Sequence, residues 1–466
     1  MGNQSHSEII IIGAGLTGLT IGFYLKKAGI PFKIMEKSDK AGGVIQSHQV
    51  DGFLFESGPN TGVLGNPETA ELFEDLKAYC TLETADKEAK RRLIWKKGKW
   101  HALPSGPISA IKTPLFHFRD KLRFLGEPFR KKGTDPLESV ASMVRRRLGK
   151  SFLDYAINPF ISGIYAGNPE KLVTKYALPK MYNLEHEYGS LIKGGIKKSK
   201  TNKLDPRMAK ATREVFSAEG GLNQLIHALV TAIGEQNIVL NADNIMVNKA
   251  TDGFELSYTN NASESVTVTA KRVITTSGAH TLSNLLPFLN RKLDAVVNLK
   301  YAKVALVILG FKEWNGIPLN AFGGLIPARE DKNMLGVLFT SSFLKNRAPE
   351  KGALLSCFIG GERFPKAVEY SDEVLTEVVL ANMKEMMQTN QQPDLLKIFR
   401  YEQAIPQYEA STKERLEAIS EIEQEFKGLY IAGNVRDGIG MADRIKQGRS
   451  IADKVAEAEV KAKTKI

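Results

Sequence analysis

Three glycines, Gly13, Gly15 and Gly18, follow a run of four isoleucines in IIIIGAGLTGLT, residues 9–20. A glycine turn between a strand and a helix is an anion-binding device. The first glycine permits the tight turn, the second lets the backbone approach a pyrophosphate, and the third lets helix and strand pack closely. Around Ala14, Leu16 and Thr17 the helix start offers free N–H groups and the positive end of its dipole to phosphate. Glu36 ends the next apolar run, FKIMEK, 23 positions after Gly13. An acid there can accept hydrogen bonds from ribose hydroxyls, and it disfavours a ligand with a 2′-phosphate. Together with Lys37 these residues form a first candidate set for a dinucleotide.

Two further glycine segments could touch the same ligand. Gly42 and Gly43 follow the acid in EKSDKAGGV, with Val44 next, and Gly58, Pro59, Asn60 and Thr61 follow in ESGPNT. Near the other chain end, GLYIAGNVRDGIGMADRIKQG (428–448) reads strand, turn, helix, with Gly433, Asn434, Gly438, Ile439, Gly440 and Met441 at the turn. Such a turn can offer N–H groups to the ribityl and isoalloxazine parts of FAD. Alone it is an ordinary connection. With the first turn and the glycine pair it favours FAD, which would supply the redox step while the protein supplies position and electrostatics.

The elements that must hold these residues are legible from patterning. EIIIIG is a continuous apolar run, as a buried parallel strand should be. LTIGFYLKKAG is a short helix ending at Gly29. Asp51-Gly52 and the WKKGKWH segment (95–101) mark hairpins. Residues 238–277 alternate apolar and polar positions as a β-meander, and more strands follow over 300–360, with a helix at 372–389. The expected fold is α/β: a Rossmann-like FAD-binding domain assembled from both chain ends (1–65, 215–280 and 420–466), a β-sheet substrate domain (66–103 and 281–419) and a mostly helical insert (104–214). Within the insert, PLFHFRDKLRFLGEPFRKK (114–132) is amphipathic, basic and aromatic. It suits either a helix packed on its own core or a face lying on an anionic bilayer.

Composition narrows the function classes. With 466 residues the chain needs more than one core. Its net charge of +12 is scattered and accompanied by no nucleic-acid motif, so a basic surface, an anionic substrate or a membrane surface fits better than nucleic acid. Two cysteines, Cys80 and Cys357, make a disulfide framework unlike this chain and suit a reducing compartment. No Cys/His cluster suggests a metal. MGNQSHSE lacks the basic start of a signal peptide, and no apolar run reaches the ~20 residues of a membrane span.

Several segments carry a family resemblance. The Gly42-Gly43 pair resembles the second glycine motif of the flavoprotein superfamily containing amine oxidases and phytoene desaturases, although Lys40 and Val44 stand near it where arginines are common. NPFISGIYAGNPEKL (158–172), AFGGLIPARED (321–331), LGVLFTS from 335 and QAIPQYEAS (403–411) are similar to segments of oxygen-dependent, FAD-containing protoporphyrinogen oxidases. That family includes the coproporphyrinogen III oxidases of the coproporphyrin-dependent haem pathway. The resemblance spans nearly the whole chain. It implies six-electron oxidation of a porphyrinogen, with molecular oxygen as acceptor and hydrogen peroxide released. It matches Arg92 to an arginine facing a propionate, and Leu325, Leu338 and Phe358 to apolar positions that sandwich the tetrapyrrole. Gly163 matches a glycine whose backbone lies near the ring, and Ile245 a strand residue reaching the adenine end of FAD. No side chain presents itself as a base, so no catalytic residue is assigned; hydride transfer to flavin needs alignment above all. Protoporphyrinogen IX is favoured over coproporphyrinogen III, because Arg92 and the basic insert suit it. The expected setting is cytoplasmic, peripheral on the inner membrane face, with a homodimer and contact with the next haem-synthesis enzyme as implied partners. An amine oxidase, a carotenoid desaturase and a non-catalytic flavin or porphyrin carrier stay open as alternatives.

Overall fold

The computed structural model describes residues 5–202 and 206–463. Met1–Gln4, with most of the MGNQSHSE segment's start, and residues 464–466 at the end of the expected FAD unit lie outside them. The first strand, Ser5–Ile12, explains its own composition. Ile9 and Ile11 are buried in one hydrophobic cluster and Ile10 and Ile12 in another. A strand covered on both faces has no polar side, so its alternation disappears. Helices Leu16–Lys27, Pro67–Asp75 and Asn223–Ile233 contribute to the first cluster, as does Met441–Lys463 through Ile445 and Val455. The second cluster takes Leu282, Leu285, Leu293, Val296, Ile419 and Ile422.

Strands run in the order 238–239, 33–35, 5–12, 265–275, 254–259, 243–249, and 429–431 joins beside 265–275. Both chain ends thus enter one sheet. The meander expected over 238–277 holds for its last three strands, which pair antiparallel. Ile238–Val239 instead pairs in parallel with Lys33–Met35 at the far edge. A two-residue strand carries no periodicity that could have shown this.

The second seven-stranded sheet orders its strands 395–406, 301–311, 353–360, 336–338, 323–325, 92–96, 99–102. Ala305, Val307, Leu309, Val337, Leu355 and Cys357 pack one face against helix Asp372–Met386 through Leu375, Val379 and Met383. The opposite face looks toward the rest of the chain. The expected hairpin turns are present at Asp51-Gly52 and Lys97-Gly98, all four residues having positive φ.

Packing departs from the expected boundaries in four segments. Helix Pro67–Asp75 and strand Leu82–Thr84, placed with the substrate unit, pack or pair with the FAD side: Leu72 and Phe73 join the first cluster, and Leu82–Thr84 pairs with Val215–Ala218. Residues 282–297 and 412–419 were also placed with the substrate unit, yet their leucines and Ile419 cover the first sheet. These segments are apolar at helical spacing, which says that a face is buried but not against which sheet.

Two buried ionic clusters hold the fold, one between units and one inside the insert. Arg347, 1% exposed, reaches Glu83 at 3.1 Å, Glu56 at 3.5 Å and the Ser217 hydroxyl at 3.0 Å. It joins the substrate side to the hairpin at 47–56. In the helical insert, Arg147 is fully buried between Glu127 (2.9 Å) and Glu185 (2.6 Å). Glu127 also accepts the Leu191 N–H at 2.9 Å and so caps the helix that follows. This cluster anchors the far end of the basic aromatic segment. Its helix, Phe118–Leu125, has no buried residue. Phe118, Leu125 and Phe129 stay 72, 70 and 87% exposed, while Leu115 and Phe116 at the start of the segment are buried in a small core with Ile94 and Tyr155.

Candidate functional site

Four parallel strands end side by side. The register pairs Ile12 with Met35 and with Thr275, and Thr275 with Ile431. The residues just beyond, Gly13, Glu36, Thr276 and Ala432-Gly433, therefore form a row on the carboxyl edge of the sheet, where open α/β sheets bind ligands. Two sequence-distant glycine turns are brought together by register alone.

The first turn is shaped by close contacts. A Cβ on Gly18 would lie 1.9 Å from the Gly13 carbonyl oxygen, so only glycine lets the helix sit this close to the strand. At Gly15 a Cβ would meet nothing within 4 Å, and no side chain caps the helix that begins there. The space facing the helix N-terminus is open and lined by uncapped N–H groups, which suits a pyrophosphate. Ala14, Leu16 and Thr17 are buried under it, so only their backbone can serve a ligand. Glu36, 7% exposed, accepts the Ala14 N–H at 2.7 Å and the Ser38 N–H at 3.0 Å. Two bonds leave lone pairs for ribose hydroxyls and hold the carboxylate in place. Lys37 is exposed beside it.

The second glycine segment closes on the first. The Gly42 N–H donates to Ala14 O at 2.8 Å, and a Cβ on Gly43 would lie 3.4 Å from the Gly15 Cα. Gly58 faces the Val44 carbonyl, while the Val44 side chain is exposed. Pro59 and Thr61 are half-buried on either side of the buried Asn60. Asn60 Oδ1 accepts the Ser356 hydroxyl at 2.8 Å, and Ser57 O accepts the Tyr401 hydroxyl at 2.6 Å. These bonds stitch the glycine segment to the second sheet. Ile245 lies on the edge strand Asp243–Lys249, close after Asn241 and Ala242, whose N–H groups donate to Ser38 O and Glu36 O.

The C-terminal turn is held from inside. Arg444 donates to the carbonyls of Gly433, Arg436 and Gly438, the last two at 2.7 and 2.9 Å. The Gly438 N–H donates to the Tyr408 hydroxyl at 3.0 Å, and the Tyr301 hydroxyl meets Asn434 Oδ1 at 3.3 Å. Gly440 N–H donates to Asp443 at 3.1 Å. Ile439 packs on the helical insert's cluster. The Met441 side chain is buried in the first core, which leaves only its backbone for a ligand.

The substrate candidates share one face of the second sheet. Register sets Phe358, Gly336, Leu325 and Ile94 in one row, and Ser356, Leu338, Gly323 and Arg92 in the next. Residues in a row, and those two apart along a strand, point the same way. Arg92, Leu325, Leu338 and Phe358 therefore all face away from helix Asp372–Met386. The immediate strand neighbours of Leu325, Leu338 and Phe358 are buried, whereas these three are each half-exposed. A Cβ on Gly163 would lie 2.6 Å from the Leu325 side chain, so helix Asn158–Tyr165 approaches this face at its glycine. The neighbouring arginines differ. Arg91 spends its guanidinium on Asn320 O at 3.2 and 3.1 Å. Arg92 is exposed, lies 5.8 Å from the centre of the Phe322 ring, and has no carboxylate partner among the described residues.

Four contributors escaped the sequence reading: Thr276, Ser356, Tyr408 and Arg444. Thr276 is wedged between the two glycine turns, its hydroxyl donating to Ile12 O at 3.0 Å while its carbonyl would meet a Cβ on Gly433 at 2.6 Å. Nothing in TTSGAH separates it from an ordinary strand end. Arg444 reads as one more basic residue on a helix, and only the fold buries it.

The model of the family described as flavin containing amine oxidoreductase matches residues 16–456. The chain is 28% identical to protoporphyrinogen oxidase 2, chloroplastic/mitochondrial, of Arabidopsis thaliana, over 97% of this chain and 94% of that protein. It is 27% identical to coproporphyrinogen III oxidase of Bacillus subtilis, over 96% of this chain and 97% of that protein. Among solved structures, a provisionally named protoporphyrinogen oxidase from Exiguobacterium sp. 255-15 superposes with a TM-score of 0.79 at 22% identity, over 98% of this chain and all of that one. The open space at Gly15, the fixed Glu36 carboxylate and the clamped C-terminal turn fit FAD as the cofactor. The chain belongs to the flavin-containing amine oxidoreductase family and is an FAD-dependent oxidoreductase.

Proposed function

We propose that this chain oxidises a porphyrinogen to a porphyrin in haem synthesis, with protoporphyrinogen IX preferred to coproporphyrinogen III and dioxygen reduced to hydrogen peroxide. One observation carries the reading: Arg92, with no carboxylate partner among the described residues, shares a sheet face with the half-exposed Leu325, Leu338 and Phe358. A large apolar ring with carboxylates at one side needs such a surface. The names of the Arabidopsis and Bacillus relatives support the substrate class.

When bound, FAD supplies the two-electron acceptor. The chain's own residues supply position. Leu325, Leu338 and Phe358 offer the ring an apolar platform and exclude water from it. Arg92 takes a propionate by paired hydrogen bonds and sets the ring's rotation. Gly163 leaves room where the helix Asn158–Tyr165 would otherwise press on the platform. The Asn60–Ser356 bond holds the glycine segment against this sheet, so cofactor and ring meet at a fixed seam. Alignment of this kind is what a hydride transfer requires.

The test is to supply protoporphyrinogen IX and coproporphyrinogen III separately to the holoenzyme in air, following porphyrin fluorescence and peroxide. Faster turnover of the first supports the full reading. Preference for the second keeps the reaction class and moves the substrate. Oxidation of neither, with FAD bound, overturns the proposal.

Arg92→Ala is expected to raise KM about tenfold, ~1.4 kcal/mol for a partly solvated charge-assisted pair, with kcat nearly unchanged. Arg91→Ala should leave both constants in place, because its guanidinium serves a backbone carbonyl. Equal effects from the two variants would remove Arg92 from the substrate site.

We also place the insert on a membrane surface. No described helix is long and apolar enough to cross a membrane. The exposed Phe118, Leu122, Leu125 and Phe129 lie in one segment with the exposed Arg119, Lys131 and Lys132, a combination that suits an anionic interface. A Leu125→Ser, Phe129→Ser variant is expected to lose at least about tenfold in binding to phosphatidylglycerol-containing vesicles, given the ~1.5–3 kcal/mol that one buried side chain contributes. Flotation at unchanged strength would refute the placement.

A further inference from the structure

The chain's deeply buried arginines fall into two kinds. Arg147 and Arg347 each meet two carboxylates. Arg444 and Arg415 do not. Arg444, 8% exposed, gives its hydrogen bonds to three carbonyls and to Gln447 Oε1 at 2.9 Å, all neutral. Its Nε is buried with no partner among the described residues. The nearest carboxylates are engaged elsewhere: Asp443 accepts the Gly440 N–H, and Asp437 accepts Gln447 and Arg436. Arg415, 1% exposed, lies 5.5 Å from the centre of the Tyr408 ring, with its own Nε unpartnered. Two cations without a salt-bridge partner among the described residues thus flank the Gly433–Gly440 turn, one bonded to it directly and one behind the tyrosine that accepts the Gly438 N–H. The charges of Asp443 and Asp437 act on Arg444 from a distance, and a negative charge on what the turn binds would offset the remaining cost of burying both cations.

We propose that Arg444 is a charge-setting and positioning residue for the flavin: it shapes the turn through neutral acceptors and leaves its positive charge to the pyrimidine edge of the isoalloxazine ring, favouring the anionic two-electron-reduced cofactor. Hydride transfer leaves such a charge on the ring unless N1 takes up a proton. A hydride carries two electrons from a substrate carbon to flavin N5, and the substrate's N–H proton goes to solvent. With N1 unprotonated, the reduced ring holds one negative charge along N1–C2=O. Dioxygen then takes the two electrons, with the N5 proton and one from solvent, and leaves as hydrogen peroxide. Burial lowers the Arg444 pKa, but an arginine starts so high that it stays charged.

The inference rests on FAD binding and not on the porphyrinogen reading, so it is tested with a chemical reductant. The holoenzyme would be reduced photochemically against a reference dye, and the midpoint potential followed from about pH 7 to pH 8. The groups facing the turn are Arg436, Asp437 and Asp443 from its own segment, and Arg415, Tyr408, Tyr301 and His280 from across it. Burial pushes both phenols up and the His280 imidazole down, away from this window. One proton per two electrons predicts a fall of about 30 mV per pH unit, a tenfold change for a two-electron couple. Twice that slope means a neutral reduced flavin and overturns the proposal. In Arg444→Met, the preference for reduced over oxidised FAD is expected to fall about tenfold, ~30 mV, and sulfite addition at N5, which places the same charge on the ring, should weaken by a similar factor. Arg444→Lys should recover most of both. An unchanged potential in a flavin-loaded Met variant would show that the charge serves both redox states alike, and would overturn the assignment. If the Met variant cannot hold FAD, the unaltered enzyme's slope and the Lys variant still decide.

Discussion

Gly15→Ala is expected to fold with unchanged stability and to bind FAD about a hundredfold more weakly, ~2.7 kcal/mol. The new methyl would meet no protein atom within 4 Å, and the residue's φ of −75° suits alanine. What it would meet is the pyrophosphate, displaced from the helix N-terminus, and misplacement by an ångström costs on this order. Gly18→Ala is the contrasting case. Its methyl would fall 1.9 Å from the Gly13 carbonyl, so the helix must move off the strand. That variant should lose about 1–3 kcal/mol of stability as well as FAD. The two effects separate by titrating FAD into each apoprotein and melting the apoproteins side by side. Normal FAD affinity in Gly15→Ala would mean that the open space is not the phosphate site.

Arg347→Met should be the most destabilising of the substitutions considered, by about 3–5 kcal/mol at neutral pH, because it leaves Glu56 and Glu83 buried without their cation. Its pH dependence has a definite sign. Burial already holds the Glu56 carboxyl above its ordinary range, with hydrogen bonds from Leu222 and Ser47 and the charge of Arg347 opposing. Removing Arg347 raises it further. A carboxyl whose folded pKa exceeds its unfolded value binds its proton more tightly in the folded state. Its favourable contribution is present below the unfolded pKa and is lost as pH rises through the folded one. The variant's deficit should therefore be smaller near pH 5 than near pH 8, measured by urea unfolding against the unaltered chain at each pH. An equal deficit at both would mean that Glu56 is not the group left exposed to the loss.

Local rules reached a good part of this protein. The strand–glycine–helix unit was legible because a tight turn and a close helix approach each demand glycine, and because a doubly covered strand must be apolar throughout. The two hairpins were legible because their turn residues take positive φ. Ile238–Val239 was misplaced because two residues carry no period. Residues 282–297 and 412–419 were given to the wrong sheet because an apolar helical face names no partner.

What the sequence by itself determined is the local geometry of the FAD half: which residues turn, which let helix and strand close together, and which acid ends the second strand. Those are short-range demands, met within a few residues of chain. Only the tertiary structure decided the rest. Parallel register set Gly13 beside Gly433, over 400 residues away. Strand parity put Arg92, Leu325, Leu338 and Phe358 on one face and left Arg92, not Arg91, unpaired. Burial turned Arg444 from one basic residue among 64 lysines and arginines into a cation hydrogen-bonded only to neutral acceptors. Pairing and burial are properties of neighbours in space, and no spacing along the chain encodes them.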